Sequence, residues 1–152
     1  MLSFRLATKS DLPELIKLLN DDDIAKQRES LDGNDFEFYQ HAFNNITQDP
    51  NAMLIVAEYQ GNIIATAQLN FLTYLSHLGS TRAQVENVRV ASHYRGQGIG
   101  RQLFTYLIQC AKERDCYMMQ LTSNQARHDA IRFYESLNFV RSHAGMKLIL
   151  AH

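Results

Sequence analysis

The sequence predicts a mixed α/β (α+β) fold, a mostly antiparallel sheet with helices on both faces. Three features point there. Apolar residues recur every three to four positions in four separate stretches, the spacing of amphipathic helices. Two strand-like stretches flank a tight Gln60-Gly61-Asn62 turn. Past the middle of the chain, a glycine cluster joins a Val-rich strand to a long amphipathic helix.

Taken in order, Phe4-Arg5-Leu6 alternates as a short strand does. Asp11-Leu12-Pro13-Glu14 starts a helix: Asp11 suits the cap, Glu14 follows three residues later, and Pro13 is tolerated in the first turn. Leu12, Leu15, Ile16, Leu18 and Leu19 give that helix an apolar face. A second helix is expected from about Asp35 to Thr47, where Phe36, Tyr39, Phe43 and Ile46 recur at helical spacing. The polar, acidic segment between the two helices is expected to be mobile. Ala52 to Tyr59 and Ile63 to Phe71 read as paired strands. Thr73 to Thr81 is a loop containing Gly79, and Gln84 to Ala91 is a strand carrying Val85, Val88 and Val90. A long helix runs from about Gly98 to Arg114, with Ile99, Leu103, Leu107, Cys110 and Ala111 on one side. Tyr117 to Leu121 reads as a short strand, Asp129 to Leu137 as a helix and Met146 to Leu150 as a closing strand. The expected order is β-α-α-β-β-β-α-β-α-β.

Composition narrows the class. At 152 residues the chain has the length of one domain, since domains commonly hold roughly 100–150. Residues 1–152 are therefore read as a single domain. Apolar residues at 45 % and charged residues at 20 % argue against disorder. A net charge of −1 lacks the strongly basic footprint of a nucleic-acid binder. Cys110 and Cys116 fit no metal or redox motif, and the six histidines show no metal-ligand spacing. No apolar run approaches the roughly 20 residues of a membrane span. Met1 to Arg5 lacks the shape of a signal peptide, so the expected setting is the cytoplasm, with no membrane partner.

The charge is uneven. From Asp11 to Glu37 nine acids face three bases, a net of −6, whereas from Arg82 to Lys147 ten bases face five acids, a net of +5. One reading is two solvated helix faces. The other is an acidic lip for a cationic partner and a basic half for an anionic one.

The chemistry concentrates in Arg95-Gly96-Gln97-Gly98-Ile99-Gly100, which ends a strand and opens a helix. Free N–H groups at a helix N-terminus, aided by the helix dipole, favour phosphate. Arg95 and Arg101 flank the turn and can add charge-assisted hydrogen bonds. The G-x-G-x-G spacing departs from the G-x-G-x-x-G of a dinucleotide site, and no G-K-[S/T] is present to make a P-loop. A purely structural glycine turn is the competing reading.

Val88 through Gly100 resembles the acetyl-CoA-binding signature of the GNAT superfamily of N-acetyltransferases. Ala130 to Phe139 is similar to that family's C-terminal F-Y-x-x-x-G-F segment, with Asn138 in place of the usual glycine. Asn tolerates the left-handed conformation expected at a helix end. The resemblance spans nearly the whole chain and implies a GNAT fold.

It also implies roles. The backbone of Val88, Arg89 and Val90 would bind the pantetheine arm of acetyl-CoA. The amides of Gly96, Gln97, Gly98, Ile99, Gly100 and Arg101, together with Arg95, would hold the pyrophosphate. Asn124 matches a position that touches the cofactor, and Ser123 and Arg127 border it. Tyr134 matches the tyrosine facing the CoA sulfur, where a phenol can supply a proton to the leaving thiol. Glu86, two residues before Val88, is the candidate base for the attacking amine, against the alternative of a solvated strand carboxylate. Tyr74, His77 and the segment from Asp21 to Glu37 would line the acceptor pocket. The resemblance thus implies direct acetyl transfer to a primary amine of a small molecule. A peptide or protein amine and a non-catalytic acyl-CoA-binding sensor are the alternatives, and the resemblance admits a homodimer.

Overall fold

The computed structural model describes residues 1–22 and 29–151. Strands β1 (Ser3–Leu6), β2 (Ala52–Tyr59), β3 (Asn62–Thr73), β4 (Thr81–Val90) and β5 (Met118–Gln120) form one sheet in that spatial order. The first four are antiparallel neighbours, and β5 joins β4 in parallel. Helices α1 (Leu12–Asn20) and α2 (Phe36–Gln48) cover one face. A one-turn α3 (Ser76–Gly79) follows β3, and α4 (Ile99–Glu113) and α5 (His128–Ser136) cover the other face. The mixed, mostly antiparallel sheet with helices on both faces is the architecture expected.

Strand alternation builds the two layers. On β3, Ala65, Ala67, Leu69 and Phe71 point into the core beneath α4, where Leu103, Phe104 and Leu107 are fully buried. Each of those three side chains contributes on the order of 1.5–3 kcal/mol by leaving water. The opposite face holds a smaller core of Leu12, Ile16 and Phe43. The polar partners in the alternation, Gln68 and Asn70 on β3 with Arg82 and Gln84 on β4, stay half-buried on this α1/α2 face.

A bulge resets β4. Gln68 pairs with Glu86, but Thr66 pairs with Arg89, so two residues of β4 oppose one of β3. Asn87 takes a positive φ of 54° there, which an asparagine tolerates better than most residues. Before the bulge Ala83 and Val85 face α4; after it Val88 and Val90 do. Glu86 and Val88, two apart in sequence, therefore lie on opposite faces.

Three local expectations change. Asp11 makes no side-chain hydrogen bond to the first turn of α1. Its buried carboxylate reaches backwards instead, accepting from Thr8 N at 2.7 Å and from Arg5 Nη1 at 2.7 Å and Nη2 at 3.0 Å. Arg5 and the Thr8 amide together hold its pKa below the ordinary carboxylate value. The 60–62 turn closes over Gln60 and Gly61 alone, because Asn62 already pairs with Tyr59. The closing strand is absent: residues 139–151 make no ladder, and Met146 and Leu150 are 92 % and 90 % exposed. Apolar alternation marks side chains that could share a buried face, but a strand also needs a free edge to pair with. Among the described residues the outer edge of β5 and the β4 edge beyond Gln84 are open, yet this segment pairs with neither. Residues 23–28 of the expected mobile segment lie outside the described residues.

Candidate active site

The site begins where the sheet stops pairing. β5 meets β4 only from Arg82 to Gln84, so β4 runs on from Val85 to Val90 with no strand beside it on that side among the described residues. Ala91 N donates to Ile64 O across β3 at 2.8 Å. Alternation then turns the N–H and C=O of Val88 and Val90 the other way, into the gap. Arg89 Nη1 covers the Val88 carbonyl at 2.9 Å, and Arg95 Nε covers that of Val90 at 3.0 Å. The N–H groups on this edge are the ones left for a ligand backbone.

The edge leads directly into the glycine turn. Gly96 and Gly98 have φ of 75° and 83°, and no atom of the described residues stands within 4 Å of where a Cβ would project at either. That left-handed backbone favours glycine, and the open side is a cradle. Gly98 caps α4, and Gln102 N is the first to bond back, to Gly98 O at 3.1 Å. The N–H groups of Ile99, Gly100 and Arg101 are thus the unpaired donors of the first turn, at the positive end of the helix dipole. Gly100 serves a different purpose. A Cβ there would come within 3.1 Å of Phe133 Cζ, so its missing side chain lets α5 close onto α4. Gln97 Nε2 donates to His93 O, and Arg101 Nη2 donates to Ser136 Oγ at 3.2 Å, which ties the turn to both neighbours.

Tyr134 sits under this opening. Its ring meets Phe104 edge-on at 5.6 Å and Phe139 at 6.0 Å. Among the described residues its hydroxyl has no hydrogen-bond partner. Burial pushes its pKa up from the usual phenol value, and Glu86 adds to that, while Arg89 and Arg127 pull it down. The phenol is therefore protonated at neutral pH and free to donate. Asn124 is exposed and shapes the approach to α5: its Oδ1 accepts from Ala126 N at 2.9 Å and its carbonyl from Arg127 N at 2.9 Å.

Glu86 lies on the α1/α2 face, exposed, with Gln84 Nε2 donating to its Oε1 at 3.0 Å. Tyr74 and His77 gather elsewhere. Tyr74 stacks over the Arg82 guanidinium at 4.7 Å, and His77 stacks on Tyr117 at 4.9 Å. Four residues separate Arg82 from Glu86, roughly 13 Å along a strand.

The acidic lip is corrected in part. Asp21 and Asp22 do not present free charge to a cationic partner. Asp21 Oδ2 accepts from Ser92 N at 2.8 Å, and its carbonyl accepts from Arg95 Nη2 at 2.6 Å. Asp22 pairs with Arg127 and stands 3.8 Å from Arg89 Nε, with only 11 % of its side chain exposed. The end of α1 is thus strapped to the open strand, the glycine turn and α5. In the sequence both acids group with their charged neighbours, and only the fold brings their partners, Ser92 and Arg95 for Asp21 and Arg127 for Asp22, from more than 65 residues away. Asp23 of the lip lies outside the described residues. Among the described residues no cluster of three His, Cys, Asp or Glu could hold a metal, and no helix is long and apolar enough to cross a membrane.

An open strand edge feeding a glycine turn at a helix N-terminus, set in this fold, defines the class: an acetyltransferase. Residues 12–139 match the Acetyltransferase (GNAT) family, and the chain belongs to it. It is an acetyl-CoA-dependent N-acetyltransferase. Over 109 residues, 72 % of this chain and 70 % of the relative, it is 27 % identical to the aminoalkylphosphonate N-acetyltransferase of Salmonella typhimurium. It is 30 % identical over 90 residues, 59 % of each chain, to the glucosamine 6-phosphate N-acetyltransferase of Trypanosoma brucei brucei. A crystal structure described as a transcriptional regulator from Bacillus halodurans C-125 superposes with a TM-score of 0.95 at 42 % identity, covering 99 % of this chain and 100 % of that one.

Proposed function

We propose that the protein transfers the acetyl group of acetyl-CoA directly to the primary amine of a small molecule. The carrying observation is the end of the β4–β5 pairing at Gln84, which leaves an unpaired strand edge leading into the glycine turn. The residues fit acetyl-CoA. Val88 and Val90 offer edge amides to a pantetheine-like chain of peptide bonds. The cradle at Gly96 and Gly98, with the first-turn amides of α4, suits a pyrophosphate. Arg95 and Arg101 add positive charge beside it. Arg89, Gln97 and Asn124 are assigned to the same cofactor site.

Acetyl-CoA supplies an activated thioester. Glu86 takes the proton from the amine, directly or through water, so that nitrogen can attack. The β4 amides polarise the acetyl carbonyl. Tyr134, held protonated by burial, gives its proton to the departing sulfur. Holding the amine against the thioester contributes the rest.

A small acceptor is supported by the two relatives named above, whose acceptors are an aminoalkylphosphonate and glucosamine 6-phosphate. Both are small amines carrying a phosphorus oxyanion. The test is thiol release from acetyl-CoA against a panel: aminoalkylphosphonates, amino sugar phosphates, polyamines and peptide N-termini. Turnover with a small amine and none with peptides is the expected result. Turnover confined to peptides would overturn the acceptor assignment.

A further inference from the structure

We infer that Arg82, Gln120 and Gln84 form a one-directional hydrogen-bond relay that positions the Glu86 carboxylate. The inference rests on Glu86 being the base in the reading above. Arg82 Nη1 donates to Gln120 Oε1 at 3.1 Å. Gln120 Nε2 donates to Gln84 Oε1 at 2.7 Å, and Gln84 Nε2 donates to Glu86 Oε1 at 3.0 Å. The ends dictate the direction. A guanidinium has only donors and a carboxylate only acceptors, so both amides between them must turn the same way. Each bond polarises the next.

The relay occupies the one place where it can matter. Gln84 and Gln120 are the last register pair of β4 and β5, so the chain of amides crosses the sheet at the point where the strands part. Glu86 is the next residue on that face. Gln84 holds Oε1 of this exposed carboxylate, which restrains its rotation and leaves Oε2 for the amine. The far end is also pinned. The Arg82 guanidinium lies 4.7 Å from the Tyr74 ring and 5.7 Å from that of Tyr117, and its buried Nε has no hydrogen-bond partner among the described residues. Ring stacking and Gln120 are what orient it. On the same face Gln68, directly across from Glu86, donates Nε2 to Asn70 Oδ1 at 3.0 Å and is not a member of the relay, so it reports a general disturbance of the face apart from the relay's hydrogen bonds.

These are positioning residues, and the test reads position as well as rate. In 1H–15N spectra of the full-length protein, the side-chain NH2 resonances of Gln84, Gln120 and Gln68 are followed. Arg82→Met should move both Gln120 and Gln84, two steps along the relay, and leave Gln68 in place. Gln120→Glu keeps an acceptor for Arg82 but loses the donor to Gln84. It should move the Gln84 resonance and lower kcat about tenfold with KM for acetyl-CoA unchanged, the cost of a misplaced reacting group. If Arg82→Met moves Gln120 alone, or moves Gln68 as much as Gln84, there is no relay. Unchanged kcat in Gln120→Glu would overturn its catalytic purpose. Full turnover in Glu86→Gln would instead refute the base assignment, whatever the amide spectra show.

Discussion

Tyr134→Phe separates chemistry from structure unusually cleanly. The hydroxyl has no hydrogen-bond partner among the described residues, while the ring packs between Phe104, Phe133 and Phe139. Deleting the oxygen keeps every ring contact and breaks no described bond. Stability should therefore change by less than about 1 kcal/mol, the usual net size of a hydrogen bond that is actually made. The rate should not be spared. General acid catalysis contributes about 10²–10⁴-fold, and kcat should fall by on the order of 100-fold, about 2.7 kcal/mol of barrier. The assay is thiol release under saturating amine and acetyl-CoA, with thermal unfolding of the same sample. KM for acetyl-CoA should hold. A linked effect appears at high pH. Burial raises the folded phenol above its ordinary value of 10.0. The stability linked to keeping it neutral is present below about pH 10 and is lost as pH rises through the raised value. Tyr134→Phe should lack that alkaline loss. Unchanged kcat in the variant would remove Tyr134 from the chemistry. A large fall in melting temperature would show that the hydroxyl has a structural partner and refute the reasoning.

Asp22→Ala removes the carboxylate between Arg89 and Arg127, leaving two poorly exposed guanidinium groups without it. The expected loss is about 3 kcal/mol, or roughly 6–12 °C in melting temperature, and a shift below about 2 °C would contradict it. Gly100→Leu drives side-chain atoms into Phe133 and should cost about 1–3 kcal/mol in denaturant unfolding, whereas Gly100→Ala should be nearly neutral, since better helix propensity offsets the tight contact. Equal losses in both would point to a backbone requirement instead of α4–α5 packing. Asp11 is held below its ordinary value of 3.8 chiefly by Arg5. Its contribution is present above about pH 4 and lost as pH falls through the lowered value, so acid titration of Asp11→Asn should show a shallower loss of stability than the parent.

Much of this was legible before the structure. The core faces of α1, α2 and α4 followed from 3.6-residue spacing, and β2 runs over the residues its alternation marked. The glycine turn was legible because glycine, strand and amphipathic helix all point to one arrangement. What was not legible depended on distant partners. Asp11 looked like a cap because it is an acid before a helix, but Arg5 and the Thr8 amide compete for it more strongly. Asp22 looked like one charge in a run until the fold delivered Arg127. The third glycine of the cluster looked like part of the phosphate cradle, and only the approach of Phe133 shows why a side chain larger than a methyl is crowded there. The β4 bulge at Asn87 carried a weak signal, an asparagine inside a strand. The Arg82, Gln84 and Glu86 alternation opposite Ala83 and Val85 carried a stronger one, a polar strand face beside an apolar one.

The reading stands or falls on whether the turn after β4 and its open edge hold acetyl-CoA. Calorimetric titration of acetyl-CoA into the wild-type protein and into Gly98→Trp tests it most directly. Saturable one-site binding to the wild type and none to the variant is the expected result, because the indole would fill the open space in front of the turn. Wild-type affinity in Gly98→Trp, or no binding by the native protein, would contradict it.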